Sequence, residues 1–121
     1  MIQSSKPRKQ RLFRLHAPMH IRQNFVNAHI SKELSTKLGI KRRSIEVRKG
    51  DTVKVMSGDN KGKTGKVAEV NLKTGKVLIE GVARKDAKSK EKLIPIYSSN
   101  LYITDLDLTD KARQAEVSKA K

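Results

Sequence analysis

The chain contains no cysteine and no tryptophan, and aromatic residues make up only 3% of its 121 residues. The lack of cysteine excludes disulfides, thiolate zinc sites and cysteine nucleophiles. No apolar run approaches the roughly 20 residues that a membrane-spanning helix needs, and the first residues lack the apolar segment of a secretory signal. We therefore expect a cytoplasmic protein with no membrane partner and one small core built from Val, Ile and Leu.

Negative charge is also scarce, since 28 Lys and Arg stand against 12 Asp and Glu, for a net charge of +16. Such a chain repels itself unless a polyanion neutralises it, so a nucleic acid is the expected partner. Residues 1–50 carry 13 basic and 2 acidic side chains, whereas residues 93–121 carry four of each. Residues 1–15 have too few apolar groups to fold alone, so we expect a basic arm that orders on its partner.

The first part of the chain shows helical spacing. Apolar residues recur at helical intervals from Pro18 to Ala28, which predicts one short helix. Residues 31–39 predict a second, with Ser31 as its N-cap and Gly39 as its stop. A last helix is predicted over residues 110–117, with Thr109 as its cap and a frayed end, because its apolar stripe is thin.

The middle of the chain alternates with a period of two, which is typical of strands. Turn formers at 57–63, 71–75 and 98–100 separate the strands, and residues 84–92 are predicted to form a charged loop. The five predicted strands begin at Thr52 and continue over 66–70, 77–79, 93–97 and 101–103. The connections are too short for crossover helices, so the sheet should be antiparallel, with the strand count of a small closed barrel.

Patterns that suggest catalysis or metal binding fail on their spacing. Residues 58–64 (GDNKGKT) end like a phosphate-binding P-loop, but three residues instead of four separate the glycines and a strand pattern follows. His16 and His20 are four apart, but Pro18 between them disfavours a shared helical face. No nucleophile arrangement or pair of carboxylates is recognisable. We expect no enzymatic activity, no metal and no cofactor.

The basic residues are the candidate site, because they flank turns and loops more densely than solubility requires. The predicted RNA-binding residues are Lys6, Arg8, Lys9, Arg11, Arg14, Arg22, Lys41, Arg42, Arg43, Arg48, Lys49, Lys61, Lys63, Lys66, Arg84, Lys85, Lys88 and Lys90. With so few aromatics, we expect recognition through phosphates and RNA shape, with base stacking a minor contribution. Phe25 and at least one tyrosine are expected in the core.

Residues 48–70 (RKGDTVKVMSGDNKGKTGKVAEV) resemble a KOW motif. Gly50, Gly58, Gly62 and Gly65 stand at its glycine positions, and valines stand at its strand positions. Glycines there permit a tight loop and let a phosphate backbone come close. KOW motifs occur both in ribosomal proteins and in transcription elongation factors, so the alternative function is a protein-interaction module of such a factor.

The flanking segments 5–11 (SKPRKQR), 16–22 (HAPMHIR), 31–34 (SKEL) and 45–51 (IEVRKGD) are similar to the archaeal and eukaryotic branch of the ribosomal L twenty-four family, called L twenty-six in eukaryotes. The resemblance implies a mainly β protein with a small antiparallel SH3-like barrel. It further implies binding to large-subunit rRNA early in assembly, near the peptide tunnel exit. Neighbouring ribosomal proteins and tunnel-exit factors would be its partners, and it would not form homo-oligomers.

The expected domain organisation follows from these patterns. Residues 1–46 form a basic N-terminal extension with two short helices, 47–108 form the SH3-like KOW barrel, and 109–121 form a C-terminal helix or frayed tail. Residues 111–121 are less basic than the family's usual tail, and Tyr97-Ser98-Ser99-Asn100 replaces its usual His-Pro-Ser-Asn.

Overall fold

The computed structural model describes residues 2–119, which form a mainly β protein. Gln23–Phe25 and Ser98–Asn100 are short 3-10 turns. The helices and strands of these residues are, in chain order, α1 Pro7–His16, α2 Met19–Arg22, β1 Asn27–Ile30, α3 Lys32–Leu38, β2 Ser44–Glu46, β3 Thr52–Val55, β4 Thr64–Asn71, β5 Lys76–Lys85, β6 Glu91–Tyr97, β7 Leu101–Asp105 and α4 Lys111–Lys119.

Seven strands of the described residues join in one sheet, in the order β2-β1-β7-β3-β4-β5-β6. Neighbouring strands are antiparallel except β1 and β7, which run parallel. The prediction of a mainly β, largely antiparallel protein is therefore confirmed. The predicted number of five strands is too low, because β1 and β2 lie in the part of the chain where only helices are expected.

The helix predicted from Pro18 to Ala28 is wrong in its last three residues. Helical structure ends at Phe25, and Ala28 lies in β1. Side chains in β1 alternate between exposed and buried, with Ala28 and Ile30 facing the core. Ala28 fits the helical spacing i, i+4, i+7 from Ile21 and Phe25, and it fits the alternation with Ile30 equally well, so the apolar positions alone do not separate helix from strand here. Pairing with β2 and β7 decides between the two.

The basic arm also departs from expectation, because residues 7–16 form α1 instead of lacking structure of their own. Pro7 stands in the first turn, where its missing N–H does no harm, and the following residues are mostly strong helix formers. No residue of α1 is buried. The rings of Phe13 and Phe25 meet in a T-shaped arrangement at a centroid distance of 6.2 Å, and this contact connects α1 to the rest of the protein.

The second predicted helix is confirmed as α3. The Ser31 hydroxyl accepts the backbone N–H of Leu34 at 3.2 Å, as an N-cap does. Gly39 ends the helix with φ of 65°, in the left-handed region that glycine adopts at little cost. Residues 2–46 therefore contain three α-helices, α1, α2 and α3, and not two.

The predicted strands of the middle region are confirmed, but the charged loop at 84–92 is wrong. β5 continues to Lys85 and β6 begins at Glu91, so only Asp86 to Lys90 turn between them. The N–H of Asp86 donates to the carbonyl of Lys90 at 3.0 Å and closes the turn. Charged side chains are compatible with exposed strands, because a hairpin end can have both faces in water.

One hydrophobic cluster holds these elements together. It consists almost entirely of Val, Ile and Leu, as the composition predicts. Its fully buried members include Val53, Val55, Val67, Val77, Ile79, Val82, Leu101 and Ile103. Residues of β1, α3 and β2 belong to the same cluster. The N-terminal strands and the central hairpins thus share a core.

The C-terminal helix is better anchored than predicted. Asp110 precedes it and accepts the N–H of Ala112 at 3.0 Å, so Asp110 and not Thr109 serves as its cap. Arg113 and Val117 are buried, and the helix continues to Lys119 instead of fraying after 117. The expectation of a frayed end for residues 120–121 lies outside the described residues.

Candidate nucleic-acid interface

Sixteen of the eighteen predicted RNA-binding residues are exposed, and the other two, Arg22 and Arg48, are half-buried. The exposed ones fall on four surfaces. The α1 surface holds Lys6, Arg8, Lys9, Arg11 and Arg14. The glycine loop, residues 57–63, holds Lys61 and Lys63, with Lys66 beside it on β4. The hairpin tip, residues 84–90, holds Arg84, Lys85, Lys88 and Lys90. The junction, residues 41–49, holds Lys41, Arg42, Arg43 and Lys49.

The α1 surface presents its charges on an almost fully exposed helix. Arg14 places its guanidinium over the Phe25 ring at 5.0 Å, a distance suited to a cation–π contact. Arg22 binds the C-terminal end of α1, because its Nε donates to the carbonyl of Ala17 at 2.8 Å and its Nη2 donates to the carbonyl of Leu15 at 2.6 Å. Those bonds engage Arg22 in holding the end of α1.

The glycine loop brings its lysines to the surface on a tightly folded backbone. Gly58 and Gly62 both have φ of 89°, which residues with a Cβ rarely adopt. The N–H of Gly62 donates to the carbonyl of Val55 at 2.8 Å, so the loop folds back on β3. Lys63 Nζ donates to Asn60 Oδ1 at 2.9 Å, and both Lys61 and Lys63 stay exposed to solvent. A strand follows Thr64, in agreement with the rejection of a P-loop.

At the junction, acidic residues around α4 compete for the arginines. Arg48 Nη1 lies 2.8 Å from Asp110 Oδ2, and Arg48 Nη2 lies 3.8 Å from Glu116 Oε2. Glu116 also lies 3.7 Å from Arg42 Nη1. Arg48 and, more weakly, Arg42 are thus partly neutralised inside the protein. The sequence places these carboxylates more than 60 residues away and gives no sign of the pairing.

Beside the junction lies a fully buried ion pair that the sequence does not predict. Arg113 donates from Nη1 to Asp51 Oδ1 at 2.5 Å and from Nη2 to Asp51 Oδ2 at 2.7 Å. The same guanidinium donates to the carbonyls of Glu46 and Asp107 at 3.1 Å each. Asp51 accepts the N–H groups of Arg48 and Asp107 in addition. This network fastens α4 to the start of β3.

Asp107 is held in its charged form by the segment leading to α4. Hydrogen bonds from the backbone N–H and the hydroxyl of Thr109, followed by the charges of Arg113 and Lys66, lower the pKa of Asp107 below its usual value. The N–H of Thr109 donates to Asp107 Oδ1 at 3.1 Å. Thr109 therefore stabilises a carboxylate instead of capping the helix.

The expectation of a tyrosine in the core is wrong. Tyr97 is 54% exposed and Tyr102 is 38% exposed, while Phe25 is half-buried. Lys76 Nζ lies 5.0 Å from the Tyr97 ring centroid. Tyr102 and His29 meet at a centroid distance of 5.9 Å. The two tyrosine rings therefore belong to the solvent-exposed surface.

Two further findings concern other kinds of site. None of the helices between residues 2 and 119 has the length and apolar content needed to traverse a lipid bilayer. Over the same residues, no three His, Asp or Glu side chains come together in a way that could hold a metal ion. His16 ends α1 and His20 lies in α2, with Pro18 between the two helices.

Comparison with known proteins gives one consistent result. The chain is 51% identical to large ribosomal subunit protein uL24 of Methanocella arvoryzae over 119 residues, which cover 98% of this chain and 94% of that protein. It is 46% identical to the protein of the same name from Saccharolobus solfataricus, with 98% of each chain covered. Identity to the Pyrobaculum islandicum protein of that name is 44%, with coverage of 98% and 94%. A family model that describes the eukaryotic L26 and archaeal L24 ribosomal proteins matches residues 4–120, and the chain belongs to this ribosomal protein family.

Proposed function

We propose that the chain is a non-catalytic structural constituent of the large ribosomal subunit and that it binds ribosomal RNA. The family match and the names of the relatives support its place in the subunit. The exposure of sixteen predicted cationic residues over four surfaces carries the proposal of RNA binding. Charges spread over several faces suit a folded RNA that surrounds the protein better than they suit a single straight duplex.

Binding rests mainly on phosphates. The α1 surface follows one stretch of RNA backbone, since its helix projects cations into solvent and buries none of its own residues. The glycine loop and the hairpin tip contact other stretches, because their turns carry exposed lysines at the ends of two hairpins. Arginine of the α1 surface suits bidentate phosphate contacts, and the loop lysines act as point charges.

Strands β3 to β7 are proposed to form an SH3-like KOW barrel over residues 47–108, with residues 1–46 as its basic extension and 109–121 as its C-terminal segment. Support comes from the sheet irregularities between Val67 and Glu69 and between Leu78 and Ala83, because bulges bend strands as closure requires. Gly81, with φ of 82°, lies inside the second irregularity. The backbone carbonyl of Glu80 lies so close to Gly65 that a Cβ at position 65 would collide with it. Such a close approach fits tightly curved neighbouring strands.

The family resemblance also supports a place in the cytoplasmic ribosome near the tunnel exit, an early step of assembly, and contacts with neighbouring ribosomal proteins and tunnel-exit factors. It does not form homo-oligomers there. Its chemistry is binding alone, since RNA phosphates need neutralisation and no bond needs to be broken.

Replacement of Lys61, Lys63 and Lys66 by glutamine tests the proposal. RNA binding should weaken, and the slope of log affinity against log salt should fall by on the order of one unit for each phosphate that the variant no longer binds. The control removes the same charge from Lys37, Lys111 and Lys119, which are exposed but lie off the four surfaces. Equal effects of the two triple variants would show that net charge and not the glycine loop governs binding.

The place of action is tested by sedimentation of a cell extract that contains the full chain through a sucrose gradient. The protein should travel with large subunits and should protect specific rRNA nucleotides from chemical modification. Travel with RNA polymerase, and no rRNA protection, would overturn the proposal in favour of a transcription factor module.

A further inference from the structure

A row of solvent-facing side chains crosses the sheet where four strands meet. His29 of β1 lies opposite Ser44 of β2 and opposite Tyr102 of β7. Tyr102 in turn lies opposite Lys54 of β3. Register partners on adjacent strands point to the same face of a sheet, so these side chains share one surface. Ala28, Ile30, Val53 and Ile103, the neighbours along the strands, point into the core.

An aromatic pair stands at the centre of this row. The rings of His29 and Tyr102 lie 5.9 Å apart, at an interplanar angle of 75°, so the edge of one ring meets the face of the other. Both residues are exposed, and Tyr102 keeps 38% of its surface in water. His29 Nδ1 lies 3.4 Å from the carbonyl of Arg43, which orients the imidazole. The pair forms a partly fixed aromatic surface on two interior strands of the sheet, the second and third in the strand order.

Cations border the pair. His29 and Tyr102 line a groove of about 660 Å³ together with Lys32, Lys41, Arg42 and Arg43. None of the described residues that line it is acidic. On the other side of Tyr102, Lys54 extends the row with an exposed ammonium. Positive charge at both ends of an aromatic surface matches a chain that has flat bases attached to a phosphate backbone.

We propose that the His29–Tyr102 pair is a stacking platform for unpaired nucleotides of RNA. The platform rests on the proposed RNA-binding function and names its ligand more narrowly. A base stacks on the Tyr102 ring, while Lys54 on one side and Arg43 with Lys41 on the other bind the adjoining phosphates. Paired bases in an A-form duplex hide their faces in the helical stack, so only a splayed loop or bulge nucleotide can bind in this way.

The platform changes the expectation that stacking contributes little. The two residues lie in distant parts of the sequence, and no strand of the described residues carries an aromatic pair of its own. The parallel pairing of β1 with β7 is what brings them together. This strand pair is absent from the five-strand arrangement that the sequence predicts, so the platform does not follow from the sequence alone.

The first test uses the full chain and two labelled RNA probes of equal length, one with uracil bases throughout and one with the same phosphates but no bases. Tyr102→Ala should weaken binding of the uridine probe about tenfold and leave the abasic probe unaffected. Tyr102→Phe keeps the ring and should bind both probes like the original protein. None of these changes alters charge, so the salt slope should stay constant.

The second test reads the ring directly. The chain has two tyrosines and no tryptophan, so in a Tyr97→Phe variant Tyr102 is the only strong fluorophore. The uridine probe should quench its emission in a saturable way, and the abasic probe should not. Tyr97 is exposed, so the Phe variant should remain folded, as circular dichroism would verify.

The outcomes separate the platform from the function on which it rests. The proposed function itself would be overturned if the original protein bound neither of the probes nor large-subunit rRNA at physiological salt. Normal binding with unchanged affinity in Tyr102→Ala, or with no quenching, would overturn the platform alone. Protection of Tyr102 in the assembled subunit by a protein neighbour, with no RNA within reach, would also overturn it.

Discussion

The glycine loop and the junction beside α4 use basic residues for opposite purposes. In the loop, Lys61 and Lys63 extend into water from a backbone that tight turns hold in place. At the junction, Arg48 pairs with Asp110 and Glu116, and Arg113 is buried against Asp51. A basic residue is available to RNA only when no carboxylate of its own chain reaches it first. Charge counted along the sequence cannot distinguish the two situations.

Breaking the buried pair should give the largest effect. Arg113→Met leaves Asp51 as an uncompensated buried charge, so the free energy of unfolding should fall by about 3–5 kcal/mol. The midpoint of thermal unfolding should fall by roughly 10–20 °C. Urea denaturation measures the first quantity and calorimetry the second. Lys61→Met is the matched control in the glycine loop and should stay within about 0.5 kcal/mol of the original protein.

Arg113→Lys and a double variant sharpen this result. Arg113→Lys keeps the charge but not the bidentate contact, so its free energy of unfolding should lie between those of the original protein and Arg113→Met. Asp51→Leu combined with Arg113→Leu removes both charges and should recover part of the loss, though the N–H groups of Arg48 and Asp107 then lose their acceptor. A loss below about 1 kcal/mol for Arg113→Met would contradict the assigned role.

The same contrast explains what the sequence can and cannot predict. The two hairpins formed by β3, β4 and β5 follow from local signals, since Gly58, Gly62 and Asn71 fix turns between alternating valines. α3 likewise follows from Ser31 and Gly39. β1 does not, because a four-residue strand has too few apolar positions to establish a period. The ion pair of Asp51 with Arg113 spans 62 residues and depends on the completed fold.

Releasing the junction arginines from their carboxylate partners should make them available to RNA, as the lysines of the glycine loop are. Asp110→Asn with Glu116→Gln frees Arg48 and Arg42, so RNA affinity at low salt should rise by about three- to tenfold. Stability should change by less than about 1 kcal/mol, because these pairs are partly exposed to solvent. Glu33→Gln with Glu69→Gln makes the same change in net charge elsewhere. A gain of equal size in that control would show that the local pairing is immaterial.

Adjacent residues Arg48 and Lys49 offer a smaller and stricter comparison. Arg48→Gln should reduce stability by about 0.5–1 kcal/mol through the lost pairs with α4 and should leave the salt slope of RNA binding unchanged. Lys49→Gln should do the reverse, with stability unaltered and the slope lowered by on the order of one unit. Titrations of both variants at several salt concentrations measure the difference. Identical behaviour would mean that the ion pairs do not govern access to RNA.

Asp107 gives the smallest expected effect, and it depends on pH. Its pKa is lowered in the folded protein by Thr109, so the charged form contributes stability above the unfolded value of about 3.9. That contribution is lost as the pH falls through the folded pKa, where the carboxyl takes up a proton. Asp107→Asn should therefore show a shallower loss of stability than the original protein between roughly pH 5 and pH 2 in urea titrations. Parallel curves for the two proteins would show that the ionisation of Asp107 contributes no stability, neither through the Thr109 hydrogen bonds nor through its charge.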